Sequence, residues 1–169
     1  MTYCLGEHQD RELLVTDDSV TITSKSEAHK RVMFTNNRWA EFVALLLYID
    51  EEAKQLNRQS RPVAYRQHIG DGYYVSVNGG VMCVDVRKFY LPYGLQLGEE
   101  KPTKEGIALR LDEWVELLSI VPVIHQMFPS LMNASACSHL SQPGFMACTS
   151  CNPFHVRPYS ASDIFADML

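Results

Sequence analysis

Alternating apolar and polar residues predict two groups of short β-strands in this chain. The first group comprises residues 13–16, 19–24 and 32–34, and the polar residues 1–11 before it are expected to form a loop. The second group comprises residues 64–69, 73–77, 81–89 and 106–110, with turns at Gly70-Asp71-Gly72 and Asn78-Gly79-Gly80. Asn-Gly between two strands predicts a hairpin in the second group, and Asp17-Asp18 predicts a turn between the first two strands of the first group.

Each strand group is followed by apolar residues at the three-and-four spacing of a helix. The first helix is predicted over residues 38–56, and Leu45 and Leu47 widen its apolar stripe enough to contact another helix or a second subunit. The second helix begins near Asp112, and Pro122 is expected to kink or divide it before residues 123–128.

The two groups form an internal repeat. VMFTNNRWAEFVALLL and IALRLDEWVELLSIV align without gaps at a separation of 75 residues, and the first copy is shorter at its front. The predicted organisation is a truncated strand-strand-helix repeat over 1–60, a sheet-plus-helix repeat over 61–131, and a tail over 132–169. The fold class that follows is α+β.

The second copy can be compared with a known family. The segments HIGDGYYVSVNGGVMCVDVRKFY and KPTKEGIALRLDEWVELL resemble the C-terminal domain of the positive-cofactor-four family over about residues 68–128. Members of this family are transcriptional coactivators that bind single-stranded DNA. The first copy is similar only through its last strand and helix. The resemblance implies curved antiparallel sheets, each backed by a C-terminal helix, in a dimer. Two copies in one chain make either an internal pseudo-dimer or a homodimer.

The resemblance also implies where DNA would bind. It places four residues in the family's DNA channel, namely Arg87, Tyr90, Lys101 and Lys104. Further candidates in the same copy are Lys88, Phe89 and Tyr73. In the first copy the candidates are Lys30 and Arg31, together with Lys25 and His29. By strand alternation, only one of Tyr73 and Tyr74 can face outward. Two departures weaken the channel: Asn78-Gly79-Gly80 replaces a basic, Phe-containing turn, and Glu105 replaces a lysine.

Charge and composition leave two functions open. The formal net charge is −5, which opposes the phosphate neutralisation that supplies most non-specific affinity for nucleic acid. The first interpretation is a single-stranded or melted DNA binder that acts as a coactivator or as a replication or repair accessory. The second is a dimerisation and protein-docking module with weakened or lost nucleic-acid binding. No motif indicates an enzyme. With no apolar run of spanning length and an odd number of cysteines, five, we expect a nuclear or cytoplasmic protein that is neither membrane-bound nor secreted.

The tail adds two hypotheses. Four residues of the tail are candidate ligands of a structural zinc ion, the only cofactor we consider: Cys137, His139, Cys148 and Cys151. The alternative is a flexible loop whose cysteines are reduced. The final SASDIFADML is acidic and apolar, as in peptides that bind transcription or replication proteins. Two other interpretations are open: the terminus is frayed, or it folds back and occupies the protein's own DNA channel.

Overall fold

The structure, a computed structural model, describes residues 1–58, 63–96 and 98–136. The first sheet consists of β1 (Thr2–Leu5), β2 (Arg11–Val15), β3 (Ser19–Ser24) and β4 (Arg31–Thr35), and is followed by α1 (Asn36–Ala44) and α2 (Leu46–Arg58). The second sheet consists of β5 (Ala64–Gly70), β6 (Tyr73–Asn78), β7 (Cys83–Tyr90) and β8 (Lys101–Arg110), and is followed by α3 (Leu111–Met127) and α4 (Pro129–Met132). Both sheets are antiparallel, with neighbouring strands in chain order. The predicted α+β class, with a helix after each sheet, is confirmed.

Strand alternation decides which face of each sheet enters the core. In β3, Val20 and Ile22 are fully buried, whereas Thr21 lies on the outer face. The helices add large rings to this core, and the Phe42 and Trp114 rings meet edge to face with centroids 6.1 Å apart. Each fully buried side chain of this size stabilises the fold by about 1.5–3 kcal/mol.

The loop expected over residues 1–11 is wrong at its start. Residues 2–5 form β1, which pairs with β2 so that Tyr3 lies opposite Leu13. A single fully buried side chain, Leu5, anchors this strand, so its apolar signal is too short to recognise. The first sheet therefore has four strands, where the sequence predicted three.

Two helix predictions also need correction. The single helix expected over residues 38–56 is interrupted at Leu45, whose N–H donates to the Phe42 carbonyl at 3.1 Å. On the two sides of the interruption, α1 contacts β3 and β4 of the first sheet and β5 of the second, whereas α2 contacts β6 and β7. Leu47 is 84% exposed and does not extend the buried stripe. By contrast, the expected division at Pro122 is wrong, because α3 continues through this residue to Met127.

The helix after each sheet contacts the opposite half of the chain. Trp39 of α1 donates its indole N–H to His125 Nε2 of α3 at 3.1 Å. In the other direction, Trp114 of α3 donates to Asp50 Oδ1 of α2 at 3.3 Å. The two contacts are equivalent, because Trp114 corresponds to Trp39 and His125 to Asp50 at the same 75-residue offset.

The turns of the two sheets are held in the same crossed manner. The β1–β2 turn contacts α3 through the Gly6 N–H, which donates to Glu116 Oε2 at 2.6 Å. The β5–β6 turn contacts α1 through Asp71, whose carboxylate lies 3.3 Å from the buried guanidinium of Arg38. Ion pairs and hydrogen bonds therefore connect each turn to the helix that follows the other sheet.

Several predictions lie outside the described residues. They are the zinc ligands Cys137, His139, Cys148 and Cys151 and the acidic-apolar end of the tail. Within residues 1–58, 63–96 and 98–136, no group of three or more metal-binding side chains is present. None of the helices described in this part of the chain combines the length and apolar character needed to cross a bilayer.

Candidate nucleic-acid interface

An aromatic cluster of three rings, His68, Tyr74 and Phe89, lies on the outer face of the second sheet. Tyr74 of β6 is the central ring, and its centroid is 5.1 Å from that of His68 on β5 and 5.2 Å from that of Phe89 on β7. Both contacts are edge to face. The register places His68 directly opposite Tyr74, which explains the first contact. The cluster offers half-buried ring faces of the kind on which nucleic-acid bases stack.

Arg66 covers part of this aromatic cluster. Its guanidinium carbon is 4.1 Å from the ring centroids of both Tyr74 and Phe89. The same guanidinium lies 3.4 Å from Glu100, in the loop between β7 and β8. Burial opposes ionisation of Glu100, but the Gly98 N–H and the charge of Arg66 outweigh it and lower the pKa of this carboxyl. Glu100 is thus a stable anion that holds Arg66 over the rings.

Arg87, the central family-matched cation, lies flat against the sheet. It donates from Nε and Nη2 to Asp85 at 3.1 and 3.0 Å and from Nη1 to the Thr103 carbonyl at 3.0 Å. Gly106 on β8 lies directly opposite, and a Cβ there would be 2.8 Å from the Arg87 Cα. The arginine is therefore well positioned, but its charge is shared with Asp85.

Tyr73 is predicted as a nucleic-acid-binding residue, but it does not lie on the outer face of the sheet. Tyr73 is 5% exposed and faces the core, where the Arg38 guanidinium lies 4.0 Å from its ring centroid. Its hydroxyl donates to Glu105, and burial together with that carboxylate raises the pKa of Tyr73 far above its usual range. Lys88 shares this inward orientation, 5.9 Å from the same ring. The outward member of the tyrosine pair is Tyr74.

The other family-matched residues lie at the far end of the β7–β8 hairpin. Tyr90 and Lys101 are opposite each other in the register, and Phe89 is opposite Pro102. Both Lys101 and Lys104 are exposed, whereas Tyr90 is half-buried. The structure therefore places Arg87, Tyr90, Lys101 and Lys104 on one hairpin.

The basic residues of the first copy lie on the other sheet and have local partners. Lys30 lies 2.6 Å from Glu27, which also attracts His29 at 3.8 Å, and the Lys25 ammonium contacts the sulfur of Cys4 at 3.1 Å. Arg31 is exposed at the start of β4. These groups do not join the aromatic cluster of the second sheet.

Sequence reasoning missed two residues of this surface, Arg66 and His68. Both belong to β5 and share one face two positions apart, opposite Ser76 and Tyr74. The period-two spacing of Arg66, His68 and the outward residues of β6 was the available signal.

Part of this surface lies in a segment that matches a known family: Arg87 and Phe89 fall within the match, whereas Arg66, His68 and Tyr74 precede it. Residues 75–120 match the family model of Transcriptional Coactivator p15 (PC4). The PC4 match covers most of β6, all of β7 and β8 and the first half of α3. It confirms the resemblance found in the sequence for the second copy, and the matched family is that of a transcriptional coactivator. No curated protein and no solved structure matched the chain.

Proposed function

We propose that this protein binds single-stranded or melted DNA on the outer face of the second sheet, as a transcriptional coactivator or a replication or repair accessory. The supporting observation is the outward placement of Tyr74 and Phe89 beside Arg87. Arg87 and Phe89 lie within the segment that matches the PC4 family, and Tyr74 directly precedes it. The proposed activity is non-enzymatic, and the proposed location is nuclear or cytoplasmic. The tail is proposed to bind transcription or replication proteins.

Aromatic rings and cations contribute to DNA binding in different ways. Stacking on an aromatic side chain contributes about 1–3 kcal/mol per base and is tolerant of sequence. Exposed lysines contribute by releasing counterions from phosphates, with a salt dependence of about 0.7 per contact for single strands. Because the whole chain is acidic, Lys101 and Lys104 carry a larger share of the electrostatic attraction than they would in a basic protein.

A salt titration tests the proposal. Fluorescein-labelled oligo-dT is titrated with the full chain, and fluorescence anisotropy is followed between 50 and 200 mM salt. When Lys101 and Lys104 are both replaced by alanine, the slope of log K against log salt is expected to become less negative by about 1.4, because two phosphate contacts are lost.

Lys54→Ala combined with Arg58→Ala is the charge-matched control, since both residues are exposed on α2. This control should keep the slope of the unmodified protein. Binding without salt dependence, or an unchanged slope in the Lys101 and Lys104 variant, would contradict the proposal.

The second candidate function is protein docking without nucleic-acid binding. It is favoured by the acids beside the aromatic cluster, since Asp85 and Glu100 each pair with an arginine that DNA would otherwise use. The absence of any oligo-dT binding in the titration above would select this function.

We also propose that the two halves of the chain form an internal pseudo-dimer. The support is the reciprocity of the Trp39–His125 and Trp114–Asp50 contacts at a constant offset of 75 residues. Self-complementary contacts of this kind characterise two-fold interfaces between identical subunits.

A further inference from the structure

We propose that only the second sheet binds nucleic acid, so that one chain holds one strand. This inference rests on the proposed function and on the pseudo-dimer. It follows from a comparison of equivalent positions on the two sheets.

The strand registers fix which positions are equivalent. Val32 of β4 corresponds to Ile107 of β8 by the 75-residue offset. Residues paired from strand to strand form a row across each sheet. The inward row is Val32, Ile22 and Leu13 in the first sheet, and Ile107, Val86 and Val75 in the second. All six side chains are at most 1% exposed. The two inner faces therefore follow one plan, which validates the alignment of the outer faces.

The neighbouring outward row differs completely between the sheets. In the second sheet, this row consists of His68, Tyr74, Arg87 and Gly106. The equivalent row of the first sheet consists of Cys4, Glu12, Thr23 and Arg31. A carboxylate thus replaces the central ring of the aromatic cluster, and a threonine replaces the family-matched arginine.

The next outward row shows the same loss. Arg66 lies over the rings of the second sheet and pairs with Ser76. The equivalent pair in the first sheet is Thr2 with Leu14, so Arg66 corresponds to Thr2. Met33 corresponds to Ala108 and is 50% exposed. Across both outward rows, the first sheet has no ring on which a base could stack.

The charges of the first sheet do not restore binding. Glu12 is exposed and would repel a phosphate at the position where Tyr74 would stack a base. Arg31 remains as a cation in the row, but a single phosphate contact supplies little affinity without stacking. The nearby Lys30 is engaged by Glu27 at 2.6 Å.

Matched substitutions on the two sheets, together with a strand count, test the inference. Tyr74→Ala and Arg87→Ala on the second sheet are compared with the equivalent Glu12→Ala and Thr23→Ala on the first. Tyr74→Ala is expected to weaken binding of a short oligo-dT about 5- to 150-fold, the range that corresponds to one stacked base. The first-sheet variants should not weaken it. Titration at protein concentrations well above Kd should saturate at one strand per chain.

Each outcome has a distinct meaning. Saturation at two strands per chain, or equal weakening by the first-sheet variants, overturns the inference while leaving the proposed function intact. Failure of the unmodified chain to bind any strand overturns the proposed function and this inference together. Urea unfolding of each variant shows whether a loss of binding reflects a loss of folding.

Discussion

Gly106 is the residue that allows Arg87 to lie close against the second sheet. A Cβ at position 106 would be 2.7 Å from the Val86 carbonyl oxygen and 2.8 Å from the Arg87 Cα. Both are backbone atoms, which cannot move away as the end of a flexible side chain can. The backbone approach in this region therefore depends on a glycine.

We expect Gly106→Ala to lower the free energy of unfolding by about 1–3 kcal/mol, since an added methyl group must displace strand backbone. Urea denaturation followed by tryptophan fluorescence measures the change. Gly79→Ala is the control, because its nearest neighbour would be an ordinary 3.8 Å contact with the Val63 nitrogen. Equal destabilisation by the two substitutions would show that the close approach at Gly106 is not limiting.

Single residues also mark the limit of what the sequence predicts. Alternation showed that one of Tyr73 and Tyr74 must be outward, but only the register with Arg87 identifies it as Tyr74. The contact of Arg66 with Glu100 joins residues 34 positions apart across a loop, and no local pattern predicts it. The family-matched positions on the β7–β8 hairpin were predictable because they lie on consecutive strands.

At the scale of elements, α1 and α3 are held together by a hydrogen bond that requires a neutral histidine nitrogen. Trp39 donates to His125 Nε2, and burial lowers the pKa of His125. His68 behaves alike: its Nε2 accepts the Gly72 N–H, and burial lowers its pKa. The interruption of the first helix at Leu45 was not predictable from sequence, since no proline or glycine marks it.

We expect the folded state to lose stability as the pH falls below about 6.5. A histidine whose folded pKa is lowered binds fewer protons than in the unfolded chain, so its contribution is complete above the unfolded pKa and is lost on acidification. Urea unfolding at intervals between pH 7.5 and 5.5 measures this dependence.

The same series on His125→Gln should show a weaker pH dependence, because glutamine can accept the indole N–H but does not titrate. His29→Gln provides the control, since His29 is exposed on the β3–β4 turn. A His125→Gln variant with the full pH dependence of the unmodified protein would assign the effect to other groups.

At the scale of the whole molecule, the crossed contacts support the proposed internal pseudo-dimer. Gly6 in the turn of the first sheet contacts Glu116 of α3, and Asp71 in the turn of the second sheet contacts Arg38 of α1. The sequence showed that the last strand and the helix start of each half repeat at an offset of 75 residues. It did not show that both sheets have four strands, because β1 contributes so few apolar residues.

We expect a monomer in solution with a mass near 19.2 kDa, because the proposed pairing surface of each half is already occupied by the other half. Light scattering coupled to size exclusion at several protein concentrations measures this mass. A stable species of twice that mass at the lowest concentration would contradict an internal pseudo-dimer.

The hydrogen bond from Gly6 to Glu116 spans 110 positions of the chain, which has a consequence during synthesis. At ribosomal speeds, the residues between α2 and Glu116 take roughly 3–12 s to be added. During this interval, Phe42 and Trp39 lack the α3 side chains that they contact in the finished fold. The faces of Trp39 and Phe42 that contact α3 are therefore uncovered in the nascent first half, and we expect this half to bind chaperones that recognise apolar segments near the ribosome.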